Sequence, residues 1–191
     1  MNLFPITLIA LILGISLAED LRRKKIPNIV TFPGMIIGIS YHVFLNSFNG
    51  LLFGIAGGAL GISFFLIPYL SGGMGAGDVK LMGALGAILG PKCICFAAVA
   101  VYTAGGICGL FVLILHPKYA LSSFKRLWLT IKTFLCTAQF ILIPPDKNEK
   151  GPVLLFAIPI TLGILYFLFM TKTGYELIPK SIGNQLNILI K

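Results

Sequence analysis

The longest stretch of this chain without a charged side chain runs from residue 26 to residue 77 and contains 52 residues. Further runs without Asp, Glu, Lys or Arg cover residues 1–18, 81–91, 93–117, 133–145 and 151–171. A helix needs about 20 apolar residues to cross the roughly 30 Å hydrocarbon core of a bilayer, so several of these runs are long enough to span it. Such a pattern is typical of a protein that crosses a membrane several times.

The composition excludes the main alternatives to a membrane protein. Charged residues make up 11% of the chain, whereas a soluble domain carries about 25%. The hydrophobic fraction of 57% is far too high for a disordered chain. The net charge of +9 lies between apolar runs and not on a folded polar surface, so we expect no nucleic-acid binding. We therefore predict an all-α, polytopic integral membrane protein.

The uncharged runs predict about six transmembrane helices. The polar turn at 46–50 divides the longest run into two crossings. The fourth helix is short, since about 13 residues rise only about 20 Å, and it either spans a locally thin bilayer or is re-entrant, which would leave five crossings. The predicted spans lie near residues 2–18, 28–45, 51–70, 78–90, 93–115 and 152–171.

The basic residues predict the orientation of these helices. With the N-terminus outside, eleven Lys and Arg residues face the cytoplasm and four lie outside, as the positive-inside rule requires. Residues 1–171 then form a single membrane-embedded domain. Within it, residues 118–145 read as a basic amphipathic segment on the anionic lipid of the inner leaflet, and residues 172–191 form an external tail.

The six acidic residues differ in their expected surroundings. Three of them fall in polar segments where a solvated charge is expected, namely Asp146, Glu149 and Glu176. Glu19 and Asp20 end the first span, and Asp78 begins the fourth span at the same cytoplasmic edge. An ionisable group at membrane depth is costly, so Asp20 and Asp78 are the candidate functional pair, with Glu19 as a boundary neighbour.

Two carboxyl groups at one membrane face predict a specific chemistry. Held close together they cannot both ionise easily, so they share a proton. One then acts as a general base on water while the other donates to a carbonyl oxygen, as in aspartic proteases. The glycine-rich stretch 72–77 would let a substrate backbone approach Asp78. Helix packing by these glycines is the alternative, and a phosphate-binding loop is disfavoured because G-x-x-x-x-G-K-[ST] is absent.

Two short motifs resemble the type IV prepilin peptidases, a family of membrane aspartic proteases. The stretch Gly75-Ala76-Gly77-Asp78-Val79-Lys80 resembles the family's G-x-G-D signature. Asp20-Leu21-Arg22 followed by Ile26-Pro27-Asn28 resembles its first-aspartate motif. A third match, from Lys150 through Gly163, departs from the family at Val153-Leu154. The resemblance implies that Asp20 and Asp78 are catalytic, with supporting roles for Pro27, Asn28, Gly75, Gly77 and Lys80.

The same resemblance implies the substrate and the location. The partner is a prepilin or pilin-like precursor, whose leader is removed at the cytoplasmic face of a prokaryotic inner membrane. Larger relatives also methylate the new N-terminus and carry a cytoplasmic insertion with paired C-x-x-C motifs. That insertion is missing after Asp20, so we expect a peptidase without methyltransferase activity.

The expected reaction needs no metal and no organic cofactor. The four cysteines form no C-x-x-C pair, and two histidines are too few for a His-rich metal site. Two other classes of function remain open, a small transporter and a non-catalytic membrane scaffold. A transporter predicts acids near the midplane beside broken helices, whereas these acids lie at helix ends on one side.

Overall fold

The computed structural model describes residues 3–70, 74–115 and 156–173. These residues form five α-helices: α1 (Leu3–Arg23), α2 (Asn28–Leu70), α3 (Ala76–Leu89), α4 (Pro91–Leu115) and α5 (Ala157–Thr173). The all-helical prediction is confirmed for this part of the chain. The amphipathic segment 118–145 and all of the predicted tail beyond Thr173 lie outside the described residues.

Three of the described helices are long and apolar enough to cross a membrane, over Phe4–Arg23, Asn28–Leu70 and Pro91–Val112. A shorter apolar helix covers Ala157–Met170. The prediction of a multi-helix membrane protein agrees with this result. The count of six crossings and the external N-terminus stay predictions.

Helix α2 is interrupted at the turn that its sequence predicts. Asn46 and Ser47 have non-helical backbone angles, and the φ of Ser47 is +49°. On either side of this break the two arms, 28–45 and 48–70, pack against each other. Gly50 lies against the carbonyl of His42, and a β-carbon at Gly54 would lie 3.1 Å from the Cα of Ile39. The 43-residue element is therefore a helical hairpin with antiparallel arms.

Helix α3 is the central helix of this packing. Every residue from Leu81 to Gly90 is buried, and a helix that is apolar all round belongs inside a protein. The second arm of α2 approaches α3 at glycines on both helices, where Gly57 meets the backbone of Gly86. His42 contacts the C-terminal end of α3, where its Nε2 donates to the carbonyl of Ile88 at 2.9 Å.

The turns that follow α1 and α3 set the positions of the next helices. Lys24 has a φ of +54° and donates its backbone N–H to the carbonyl of Asp20 at 2.9 Å, which ends α1. Gly90 has a φ of +82°, and Pro91 begins α4 directly after it, as proline does at the first position of many helices.

Among the described residues, 3–70, 74–105 and 156–173 belong to one compact unit, and residues 106–115 belong to a second. Both acidic motifs and the beginning of α5 belong to the first unit. Every side-chain and backbone contact discussed below lies within it.

Candidate active site

Asp20 lies in the last turn of α1, on the helix face that points into the core. Ile9, Ile12, Leu13 and Ser16 are buried on the same face, at helical spacing from Asp20. The Asp20 side chain is itself only 7% exposed. Its Oδ2 accepts a hydrogen bond from the backbone N–H of Ala157, at 3.3 Å, and this contact is buried. Helices α1 and α5 therefore meet at the carboxyl group.

Asp78 lies in the first turn of α3, as predicted from the glycine loop before it. It is the third residue of the helix, and Gly75 is the N-cap. The Oδ2 of Asp78 accepts the backbone N–H of Gly75 at 3.2 Å, and the N–H of Asp78 donates to the carbonyl of Gly75 at 3.2 Å. This reciprocal pair fixes the carboxyl group at the helix N-terminus, which favours a negative charge.

Burial is the dominant influence on the ionisation of Asp78, which lies outside the three candidate spans. Asp78 is 7% exposed, and this burial raises the pKa of its carboxyl group from 3.8 to about 6. The hydrogen bond from Gly75 opposes the rise, whereas the charge of Asp20 adds to it. The carboxyl groups of Asp20 and Asp78 are thus within electrostatic range of each other.

The two sequence motifs also contact each other away from the carboxyl groups. A β-carbon at Gly77 would lie 3.0 Å from the Cβ of Ile26, so the G-x-G-D loop packs directly on the I-P-N segment. Lys80 Nζ donates to the Oδ1 of Asn28 at 3.0 Å and lies 5.4 Å from the ring centroid of Phe32. Two segments about fifty residues apart in sequence therefore form one end of the bundle.

The other predicted neighbours take peripheral positions. Pro27 lies in the turn between α1 and α2, where its carbonyl accepts the N–H of Val30 at 3.1 Å. Glu19 points away from the buried face and pairs with Arg23, with 3.2 Å between Oε2 and Nε. This is the surface ion pair that a boundary acid is expected to form.

Two groups at this end of the bundle were not singled out from the sequence. Ala157 contributes a backbone N–H. Ser16 is 1% exposed, one helical turn before Asp20, and its Oγ has no hydrogen-bond partner among the described residues. A backbone donor leaves no side-chain signal in a sequence, and Ser16 resembles an ordinary core residue.

The arrangement is suited to acid–base chemistry. Within residues 3–70, 74–115 and 156–173, no group of three or more His, Cys, Asp or Glu side chains could hold a metal ion. What the site offers is a pair of mostly buried carboxyl groups with one N–H donor each. Such a pair can exchange protons with a water molecule and a peptide carbonyl.

The comparisons with known proteins identify a family by its sequence pattern. The chain matches no curated protein and no solved structure. The model of the type IV leader peptidase family matches residues 7–114, which include both aspartates. The match covers more than half of the chain and agrees with the resemblance of its two motifs. The chain therefore belongs to the type IV leader peptidase family, whose members are membrane peptidases that process pilin precursors.

Proposed function

We propose that this chain is an aspartic endopeptidase that removes the leader from type IV pilin-like precursors, with Asp20 and Asp78 as its catalytic pair. The observation that carries the proposal is the pair itself. Two carboxyl groups, each 7% exposed, lie at one end of the bundle, and the charge of Asp20 acts on Asp78. Membership of the family supports the leader peptidase activity in general.

The proposed reaction is a general acid–base hydrolysis with one proton shared by the pair. The ionised carboxylate takes a proton from water as the water oxygen bonds to the scissile carbonyl carbon, and the protonated carboxyl gives its proton to the carbonyl oxygen. The resulting neutral diol collapses when the C–N bond breaks. The leaving nitrogen takes the proton acquired from water, and the diol returns a proton to the other carboxylate. One peptide and one water yield a carboxylic acid and an amine.

The position of the pair suits a substrate that lies partly in the bilayer. A pilin-like precursor has a short leader followed by an apolar helix, and that helix would lie in the membrane beside the enzyme. The junction would then reach the cytoplasmic face, at the level of Asp20 and Asp78. Gly75 and Ala76 are exposed next to the buried Asp78, so a substrate backbone can approach the pair from this side.

We further propose that the enzyme cleaves without methylating its product. In larger relatives the cytoplasmic insertion associated with methylation follows the first helix. Here residues 24–27 alone connect α1 to α2. A four-residue turn supports the interpretation that this chain is a short, peptidase-only member.

Leader cleavage by the purified, full-length protein in lipid nanodiscs tests the proposal. With a pilin-like precursor as substrate, we expect Asp20→Asn and Asp78→Asn to reduce the cleavage rate by about 100-fold or more, the contribution typical of a general acid or base. Glu19→Gln is the matched control, because Glu19 is adjacent to Asp20 but pairs with Arg23 at the surface. It should retain most of the activity.

The outcomes separate the candidate functions. Normal processing by either Asn variant, in protein that is folded and inserted in the nanodisc, would contradict the assignment of the pair. Equal losses for Glu19→Gln and Asp20→Asn would show that Glu19 takes the role assigned to Asp20 or that both residues are needed. A transporter or a scaffold would give no cleavage with any variant, including the wild type.

A further inference from the structure

The N-terminus of α5 is directed at Asp20, although α5 lies beyond the part of the chain that the family model matches. The carbonyl of Phe156 accepts the N–H of Ile160 at 3.2 Å, so Phe156 is the N-cap and Ala157 is the first residue of the helix. The first N–H groups of a helix have no partner within it. The N–H of Ala157 is one of these groups, and it donates to the Oδ2 of Asp20.

The donor and acceptor are both secluded from solvent. Ala157 is 0% exposed and Asp20 is 7% exposed. A hydrogen bond to a charged acceptor is stronger in such surroundings than at a surface, and water cannot easily replace it. The positive end of the α5 dipole adds to the stabilisation of a negative charge at this place.

The hydrogen bond of Asp78 differs from that of Asp20 in its exposure. Its N–H donor is that of Gly75, which is exposed, and the contact is only partly buried. Burial raises the pKa of the Asp78 carboxyl group to about 6, although the Gly75 N–H and the N-terminus of α3 favour its ionised form. The two carboxyl groups are therefore held by donors of different accessibility.

We propose that the backbone N–H of Ala157 is a positioning group that holds Asp20 in the orientation of the general base, which leaves Asp78 as the general acid. The inference rests on the proposed function, because it assigns roles within that catalytic pair. It also gives the last described helix a part in the reaction. In the first step Asp20 takes the proton of water, and Asp78 protonates the carbonyl oxygen.

The test removes one backbone N–H donor, weakens the Phe156 carbonyl as an acceptor for Ile160, and leaves every side chain in place. Cell-free synthesis of the full-length protein in nanodiscs allows Ala157 to be replaced by lactic acid, which substitutes an ester oxygen for the N–H. The matched control replaces Ile158 by its α-hydroxy analogue. It also introduces one ester into the first turn of α5, but among the described residues the N–H of Ile158 makes no hydrogen bond to Asp20.

We expect the ester at position 157 to move the acidic limb of the pH–rate profile to higher pH by about one to two units, the effect of losing one hydrogen bond to a charged group. At a pH on that limb, the rate should fall by about 10-fold or more. The ester at position 158 should leave the profile unchanged. An unmoved limb in a folded 157 ester, or equal shifts for both esters, overturns the inference.

A second measurement on the unmodified protein does not depend on folding of the ester. The aspartates of the chain are Asp20, Asp78 and Asp146, so labelling their side-chain carboxyl carbons with 13C gives three NMR signals, assigned by Asp→Asn variants. At about pH 5, below the pKa of Asp78, the chemical shift of the Asp78 carboxyl carbon should be that of an acid. The chemical shift of a carboxylate for Asp78 at this pH overturns the inference.

The proposed function and this inference fail in different ways. If the wild type does not cleave, or cleaves without needing Asp20 and Asp78, the proposed function is wrong. If cleavage needs both aspartates but the profile of the Ala157 ester matches that of the wild type, only the role of α5 is wrong.

Discussion

The substitution Asp78→Asn should stabilise the protein above pH 6 while it abolishes cleavage. The Asn side chain has nearly the same size and still presents an oxygen to the N–H of Gly75, but it cannot ionise. In the wild type the carboxyl group is buried and must become charged as the pH rises. A variant that avoids this charge therefore keeps the fold and avoids the cost of ionisation.

The magnitude follows from the pKa of Asp78. A folded-state pKa that lies above the unfolded value contributes stability below the unfolded pKa, and this contribution is lost as the pH rises through the folded pKa. The two values are 3.8 and about 6. A shift of about two units corresponds to about 3 kcal/mol, at about 1.4 kcal/mol per unit, less whatever the helix dipole contributes to the ionised form.

Reversible unfolding of both proteins in mixed micelles, followed by circular dichroism as denaturing detergent is added, measures the difference. At about pH 4 the wild type and Asp78→Asn should have nearly the same free energy of unfolding, because the carboxyl group is protonated there. The two curves should separate between about pH 4 and pH 7 and reach a difference of up to about 3 kcal/mol in favour of the variant.

The control for this prediction is Glu19→Gln, and two outcomes would contradict the prediction. Glu19→Gln removes a carboxylate from a surface ion pair, so its effect should stay within about 1 kcal/mol and favour the wild type. If Asp78→Asn is less stable than the wild type at pH 8, or if the difference does not depend on pH, then burial of Asp78 is not what governs its ionisation.

Two further predictions concern contacts between α2 and α3. Gly57→Ala should destabilise the protein by about 1–3 kcal/mol in the same unfolding assay, because a β-carbon there would overlap the backbone of Gly86. Gly58→Ala is the matched control and should be nearly neutral, because its nearest neighbour would lie 3.4 Å away. Lys80→Met and Asn28→Ala should each reduce leader cleavage by about tenfold, the effect of one charge-assisted hydrogen bond. The double variant should lose no more than either single variant, and additive losses would contradict a shared role.

Much of the fold follows from elementary signals in the sequence. Uncharged runs locate the helices, since a charged side chain is costly in a bilayer. The polar turn at 46–50 marks the break in α2, where Ser47 adopts a positive φ. Gly90 and Pro91 mark the boundary between α3 and α4, one by its φ and the other as a first helical residue. Each of these signals depends on residues that are close together in the sequence, so it can be recognised without a structure.

Helix ends are less well predicted, for a physical reason. The apolar run of the first helix stops at residue 18, but α1 continues to Arg23. Charged residues end the apolar run without ending the helix, because Glu19 and Arg23 pair across one turn. Likewise α3 begins at Ala76, two residues before the predicted start, because the reciprocal bonds of Asp78 with Gly75 define the first turn.

The candidate site likewise contains residues that the sequence predicts and a contact that it does not. The two aspartates could be selected because acids are rare in this chain and stand out. The contact of Ala157 with Asp20 could not, because it joins residues 137 positions apart through a backbone group that every residue except proline possesses. The bond between Lys80 and Asn28 is an intermediate case, since both residues belong to recognisable motifs but their partnership depends on the packing of α3.

The complete burial of α3 has a consequence for how sequences of this kind can diverge. On a helix that faces lipid, one apolar side chain can replace another with little effect, so such positions vary freely. From Leu81 to Gly90 no position faces lipid, because each one is buried. A substitution there is tolerated only if the new side chain fits the space available, whatever its hydrophobicity. Even Ala→Leu would clash with a closely packed neighbour. In a saturation mutagenesis experiment, helix α3 should be the apolar segment of the described chain that tolerates the fewest substitutions.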